Sequence, residues 1–233
     1  MKQITPSLYQ ISLGAVNVFV IKDSDGLTLI DTGYKDSTDK IVAAIRKRGE
    51  NPEAIRQIIL THAHPDHAGS AAAIKNRLGV PLLAHEQDAA LVAQGVGGRS
   101  AITVSPGIIN WLIFKLLIKN MSPAIEAATV DQTLQHNDVL PIAGGLQVLH
   151  TPGHSAGHIA LLLQKEGVLI AGDLCANVVG LDLSTVYEDR ALGIESILAV
   201  SKHKFDKAVF GHGTTLTGQA NRTLEAKFKD LRA

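Results

Sequence analysis

The sequence predicts a mixed α/β chain with layered sheets, organised as one domain built from two similar halves. Short apolar runs of strand length recur through both halves, separated by helical spacings and turn residues. Four of those runs end at a histidine or an aspartate, namely His62, His154, Asp173 and His212. Strand ends that converge on one rim of a sheet are a common place for a site. No short tandem repeat, low-complexity tract or long linker divides the 233 residues further, so a single domain over 1–233 is expected.

Residues 8–30 read as three successive strands, Leu8–Leu13, Val16–Ile21 and Leu27–Ile30, the last two separated by the turn signal Asp25-Gly26. The third ends at Asp31-Thr32-Gly33, a carboxylate at a strand terminus followed by a turn. Lys40–Arg48 carries Ile41, Val42, Ala44 and Ile45 at helical spacing, and Gly49 stops it. The strand Arg56–Leu60 runs into Thr61-His62-Ala63-His64-Pro65-Asp66-His67, where Pro65 prevents regular structure from continuing. Small residues from Ala68 onward start a helix, which puts Asp66 near a helix N-terminus, a favourable place for a carboxylate. That helix ends at Leu78-Gly79, Val80–Ala84 reads as a strand and Glu86–Gln94 as a helix.

Residues 99–128 read as an insertion. Pro106-Gly107 opens Ile108–Lys119, a helix apolar nearly all round, which needs burial on most sides. It fits either a helix packed into this domain or a homodimer partner, or a wall that lines the cleft with Trp111 and Phe114 facing substrate. In the second half the expected strands are Leu146–His150, Ile159–Leu163, Val168–Ala171 and Ala208–Phe210. Helices are expected over 190–202 and 219–231.

Apolar residues make up 45% of the chain and charged residues 19%, a globular balance. The formal net charge is zero, which gives no support for a nucleic-acid partner, and a small-molecule substrate is expected instead. One cysteine, Cys175, excludes an internal disulfide and fits a reducing compartment. The N-terminal residues lack the apolar stretch of a secretory signal, so the cytoplasm is the expected location. The most apolar segment, 108–118, is interrupted by Asn110 and Lys115 and falls short of the roughly 20 residues a bilayer requires, so no membrane span is expected.

The chemistry lies in the histidines. Four imidazole or carboxylate side chains, His62, His64, Asp66 and His67, fall within six residues behind a buried strand. Such ligands suit zinc, and also manganese or iron(II). One turn cannot comfortably direct all of them at one ion, so two adjacent ions are the natural reading. With His154, Asp173 and His212 there are seven candidate ligands, enough for three on each ion and one bridging carboxylate. Glycines beside the later ligands (Gly153, Gly172, Gly211 and Gly213) permit close backbone approach. No nucleophile-elbow Gly-x-Ser-x-Gly or phosphate-binding Gly-x-x-x-x-Gly-Lys-Ser/Thr competes with this reading.

The pattern His62-x-His64-x-Asp66-His67, followed by His154, Asp173 and His212, resembles the metallo-β-lactamase superfamily of metal hydrolases. The resemblance runs from the early strands through Asp31-Thr32-Gly33 to Gly211-His212-Gly213. It implies an αββα four-layer sandwich with a dinuclear site at one edge. His62, His64 and His154 would hold the first metal and Asp66, His67 and His212 the second, with Asp173 bridging. Asp31 would support the site, and Asp66 would also orient the nucleophile or carry its proton. The implied activity is hydrolysis of a small ester, thioester or lactone by a metal-bound hydroxide, with two divalent ions, zinc foremost and iron or manganese accommodated.

The segment Thr151–His158 resembles the glyoxalase II branch and its single-domain relatives. Glyoxalase II carries a basic helical C-terminal extension, whereas about twenty residues follow His212 here, which weighs against a glutathione thioester. Lactonases of the superfamily place a tyrosine soon after the bridging aspartate, whereas the nearest one here is Tyr187. The alternative is a persulfide dioxygenase-like oxidoreductase, with one iron on His62, His64 and His154. His85 and His158 are expected to hydrogen-bond rather than ligate, His136, His150 and His203 to be structural or superficial, and Cys175 to be a small core residue.

Overall fold

The computed structural model describes residues 1–99 and 102–231. A first sheet runs in chain order across its width: β1 (Lys2–Gln3), β2 (Leu8–Ser12), β3 (Asn17–Asp23), β4 (Gly26–Ile30), β5 (Ile55–Ile59), β6 (Leu82–His85) and β7 (Gln132–Leu134). Pairing is antiparallel from β1 to β4 and parallel from β4 to β7. The second sheet contains β8 (Val139–Leu140), β9 (Leu146–His150), β10 (Ile159–Leu163), β11 (Val168–Ile170), β12 (Lys207–Val209) and β13 (Leu216–Thr217). Its order is β13-β12-β11-β10-β9-β8.

The central strands of both sheets are buried on both faces, which is why β3, β10 and β11 read as apolar runs rather than alternating ones. In β3, Phe19 and Ile21 enter a core shared with Leu146, Leu161, Leu163 and Ile170 of the second sheet. Val18 and Val20, one residue out of phase, face the other way. There they meet α1 (Thr38–Lys47) through Ile41 and Ile45. Beyond the single turn α2 (Pro65–Ala68), helices α3 (Ala71–Leu78) and α4 (Glu86–Gln94) add Ile74 and Val92 to the same layer. On the far side, Leu149, Leu162 and Leu169 pack against α6 (Arg190–Val200) and α7 (Ala220–Phe228), α5 being described below. The layers are therefore αββα, as the resemblance implied.

Strand direction then positions the site. Strands β4, β5 and β6 are mutually parallel. In the second sheet β9 and β11 each pair antiparallel with β10, and β12 runs parallel to β11, so these three share one direction. Asp31, His62, His154, Asp173 and His212 all lie just past the C-terminal ends of β4, β5, β9, β11 and β12. None of the helices among the described residues is long and apolar enough to cross a membrane.

The expected apolar helix is present as α5 (Ile108–Ile113), continued by a π-helical turn, Phe114–Ile118. Its environment differs from the expectation of burial on most sides: within it only Asn110 is buried, and Ile108, Trp111, Leu112 and Leu116 face solvent. Helical spacing registers apolarity, not what covers it. Two residues of the expected insertion, Ser100 and Ala101, lie outside the described residues.

Phe19, 1% exposed, fills the space between the two sheets. Phe19→Ala is expected to destabilise the protein by about 3–5 kcal/mol. Urea denaturation followed by circular dichroism measures this, and a loss below about 1 kcal/mol would contradict the packing described.

Candidate metal centre

Three groups of donor atoms gather past the strand ends, each within 4.8 Å: His62, His64 and His154; His62, His67 and Asp173; and Asp66, His67 and His212. All seven expected ligands are among them. In the first group, His64 Nδ1 lies 3.1 Å from His62 Nε2 and 2.9 Å from His154 Nε2. In the other two, His67 Nε2 is 3.3 Å from Asp173 Oδ1, and His212 Nε2 is 3.1 Å from Asp173 Oδ2 and 3.2 Å from Asp66 Oδ2. Asp173 Oδ2 also approaches His154 Nε2 at 3.7 Å, so one carboxylate adjoins both sides of the cluster.

The outward nitrogens fix which way each ring presents its lone pair. Asp31 is the hub. Its carboxylate accepts from Thr61 N–H at 2.7 Å, from the Thr61 hydroxyl at 2.7 Å and from His67 Nδ1–H at 2.8 Å. Because the Thr61 hydroxyl proton is committed to Asp31, its oxygen accepts from His62 Nδ1–H at 3.0 Å. Asp31 thus turns the Nε2 lone pairs of both His62 and His67 inward. His154 Nδ1 donates to Val186 O at 2.8 Å, and His212 Nδ1 to Ala15 O at 2.7 Å, with the same result. Asp31 holds this position with φ +61°, a left-handed conformation that aspartate tolerates better than most residues.

A cation fits this arrangement. The Nε2 lone pairs of His62 and His154 both point at His64 Nδ1, which can offer a proton to only one of them. His67 Nε2 and Asp173 Oδ1 are buried 3.3 Å apart, and neither makes a well-aligned hydrogen bond. Electrostatics divides the cluster. Burial, then the neighbouring imidazoles, keeps His62 well below the usual histidine range, and burial with His64 brings His154 down to about 3. Burial acts the same way on His67, but Asp173, Asp66 and Asp31 outweigh it and raise its pKa to about 10. For Asp66 and Asp173 burial favours the neutral acid, yet His67 and His212 hold both carboxyls below their ordinary value. Protons thus compensate the carboxylates where divalent cations could.

Glycine is required at two places. A Cβ on Gly211 would lie 2.2 Å from Asp173 Oδ1, and one on Gly98, with φ +100°, would lie 2.6 Å from His64 Cδ2. Either would push a donor side chain out of place.

Several contributors lie beyond the expected set. Buried Asp88, on α4, accepts from Ala63 N–H at 3.0 Å, Ser155 Oγ at 3.1 Å and Gly157 N–H at 3.2 Å. It therefore ties the loop bearing His62 and His64 to the loop bearing His154, and Arg99 lies between it and Glu188. Tyr34, directly after Asp31-Thr32-Gly33, lines the cleft with Asp66 and His212. Burial and the Asp66 carboxylate push its phenol up, so it keeps its proton at neutral pH. Nothing local in the sequence marks Asp88, whereas proximity to the Asp31 turn is a weak signal for Tyr34.

The remaining expectations divide. Phe114 lines the cleft, but Trp111 does not: its ring faces outward beneath Lys115 Nζ, 4.7 Å from the centroid. His158 accepts from Asp173 N–H at 3.0 Å and pairs with Thr151 Oγ1, a hydrogen-bonding role as expected. His85 stacks on His150 with centroids 4.0 Å apart, and His136 Nδ1 accepts from His150 N–H. Cys175 is a buried core residue whose thiol burial pushes up. Tyr187 is buried too, its hydroxyl donating to Leu174 O at 2.7 Å.

Comparison with known proteins agrees with this geometry. Residues 11–212 match the Metallo-beta-lactamase superfamily. The probable metallo-hydrolase YflN of Bacillus subtilis is 26% identical over 233 residues, covering 93% of this chain and 87% of that protein. The hydroxyacylglutathione hydrolase of Rhizobium meliloti is 26% identical over 179 residues, 76% of this chain, which spans about half (54%) of that enzyme's length. Among solved structures, the subclass B3 metallo-beta-lactamase BJP-1 of Bradyrhizobium japonicum superposes with a TM-score of 0.72 at 24% identity, over 98% of this chain and 90% of that one. With the match running from β2 to His212, the chain belongs to the metallo-β-lactamase superfamily and is a metal-dependent hydrolase.

Proposed function

We propose that the protein hydrolyses a small ester, thioester or lactone at a dinuclear site, with His62, His64 and His154 holding one divalent ion, Asp66, His67 and His212 the other, and Asp173 shared. The observation that carries this is the convergence of seven donor side chains into adjoining groups with one carboxylate between them. Zinc is the ion that the imidazole-rich set favours, with manganese and iron(II) next. Divalent ions held by these residues would supply Lewis acidity, enough to lower the pKa of water from 15.7 to about 7 and to polarise a substrate carbonyl.

The chain's own residues do the rest. Asp66 lines the cleft with its carboxylate 3.2 Å from His212 Nε2, where it would accept the proton of the attacking water and return it to the leaving group. The protonated Tyr34 phenol can donate a hydrogen bond to the bound substrate. Asp31 and Asp88 hold the donor loops in register. The apolar side of the cleft excludes water from the reacting carbonyl. The likeness to a hydroxyacylglutathione hydrolase supports acyl transfer to water, and the single buried Cys175 is consistent with a reducing compartment.

Metal content of protein purified without chelators tests the reading first. About two zinc or manganese ions per chain are expected. One iron per chain with oxygen uptake on thiol persulfides would instead establish the dioxygenase alternative. Chelation is expected to lower Tm by on the order of 5–10 °C, because ions that bind only the folded state stabilise it by mass action.

His62→Ala and Asp173→Ala should each remove ester, thioester and lactone hydrolysis and reduce bound metal while the circular dichroism spectrum persists. Full activity in both variants would overturn the assigned site. Asp31→Asn keeps the shape but loses charge and acceptor strength, and is expected to weaken metal affinity about 10–100-fold. Unchanged affinity in a competition titration with a zinc chelator would remove Asp31 from its supporting role.

A further inference from the structure

The helical segment Ile108–Ile118 is more apolar than the fold requires. It contributes nothing to the three buried cores, and an exposed apolar surface of this kind marks a binding function. Its inner face supplies one. Ile113, Phe114, Leu117 and Ile118 all line the cleft that contains His64, Asp66, His154, Asp173 and His212. A π-helical turn, seen in the i→i+5 bond from Lys119 N–H to Phe114 O at 2.8 Å, follows Ile113, and residues on both sides of the junction border the cleft. Met121 and Val178 add to the apolar wall, and the cleft encloses about 580 Å³, a volume ordinary for small-molecule sites.

Charge narrows the occupant. Of the cations among the described lining residues, Arg99 is already set between Asp88 and Glu188, and Lys119 stands alone at the helix end. Among the described residues no cluster of cations lines the cleft for a phosphate or several carboxylates. A group that extends along this wall from a carbonyl over the histidines needs only apolar contact.

Resting on the hydrolase reading above, we propose that the substrate carries an unbranched alkyl acyl chain laid along the inner face of the helix, its carbonyl at the metal centre. The face from Ile113 to Ile118 spans about 7 Å, room for a chain of roughly six carbons in contact with it. Leu117 lines the cleft although 63% of it is exposed, whereas Leu116, 73% exposed, is not among the lining residues and takes no part.

The experiment uses zinc-loaded protein and p-nitrophenyl esters from acetate to decanoate. Each added methylene should raise kcat/KM by up to about fourfold until the chain passes the helix face. A Phe114→Ala, Leu117→Ser double variant should lower the octanoate-to-acetate ratio at least about tenfold, and Leu116→Ser should leave that ratio as it is. Calorimetric titration with 2-decanone, a neutral ketone that cannot be hydrolysed, should give saturable binding that the double variant loses and 2-butanone does not match. Ester hydrolysis indifferent to chain length, with no ketone binding, would overturn the acyl-chain assignment and leave the hydrolase standing. If no ester, thioester or lactone is turned over, the hydrolase reading fails, and the ketone titration still decides whether the cleft accepts an alkyl chain.

Discussion

The Asp31 carboxylate accepts three hydrogen bonds in a fully buried position, and the rest of the centre takes its geometry from them. Through His67 it orients a donor of one group, and through the Thr61 hydroxyl it orients His62 in another. A buried carboxylate without partners would be costly, so the hub exists only because β4 and β5 run parallel and end side by side. Its own backbone N–H donates to Ile59 O at 2.9 Å, which extends the ladder by one residue before the chain turns. Sheet pairing, tautomer choice and donor direction are therefore one structural fact.

The same logic joins the two halves of the chain. Asp88 reaches from α4 to the loops after β5 and β9, and Asn17, at the start of β3, donates to Phe210 O at 3.1 Å and Gly213 O at 2.9 Å around His212. Each is a polar side chain spent on the backbone of a donor loop contributed by a different layer. Such bonds hold the donors close despite the repulsion among carboxylates and the mutual exclusion of imidazole lone pairs. A site that crowds like groups together needs this support from outside, and a bound cation would offset the crowding.

Around this polar centre the cleft is asymmetric. One side is sheet edge carrying histidine and aspartate, and the other is the short apolar helix over residues 108–118, in which only Asn110 is buried. With the acyl chain placed as proposed, chemistry and recognition would sit on separate elements, an arrangement that lets one scaffold serve different substrates by changing the wall and not the centre.

The sequence by itself showed the apolar strand runs and the seven histidine and aspartate side chains that the fold gathers, and the resemblance they carry implied the layering. Apolar runs such as Ile58-Ile59-Leu60 and Ile159–Leu163 are unbroken because both faces of each sheet are covered, and the donors are dense within one loop or sit at strand ends. Only the tertiary structure decided which nitrogen of each ring faces inward, since the partners that fix it (Val186 O for His154, Ala15 O for His212) are remote in the chain or belong to the backbone, which carries no sequence signal. Asp88 and Tyr34 stayed hidden for the same reason, their roles arising from where α4 and the turn after β4 come to rest. The helix over 108–118 was legible as apolar but not as exposed, and of its two aromatic residues only Phe114 turns to the cleft. Periodicity records how often a side chain is apolar; what stands opposite it is settled only when the layers pack.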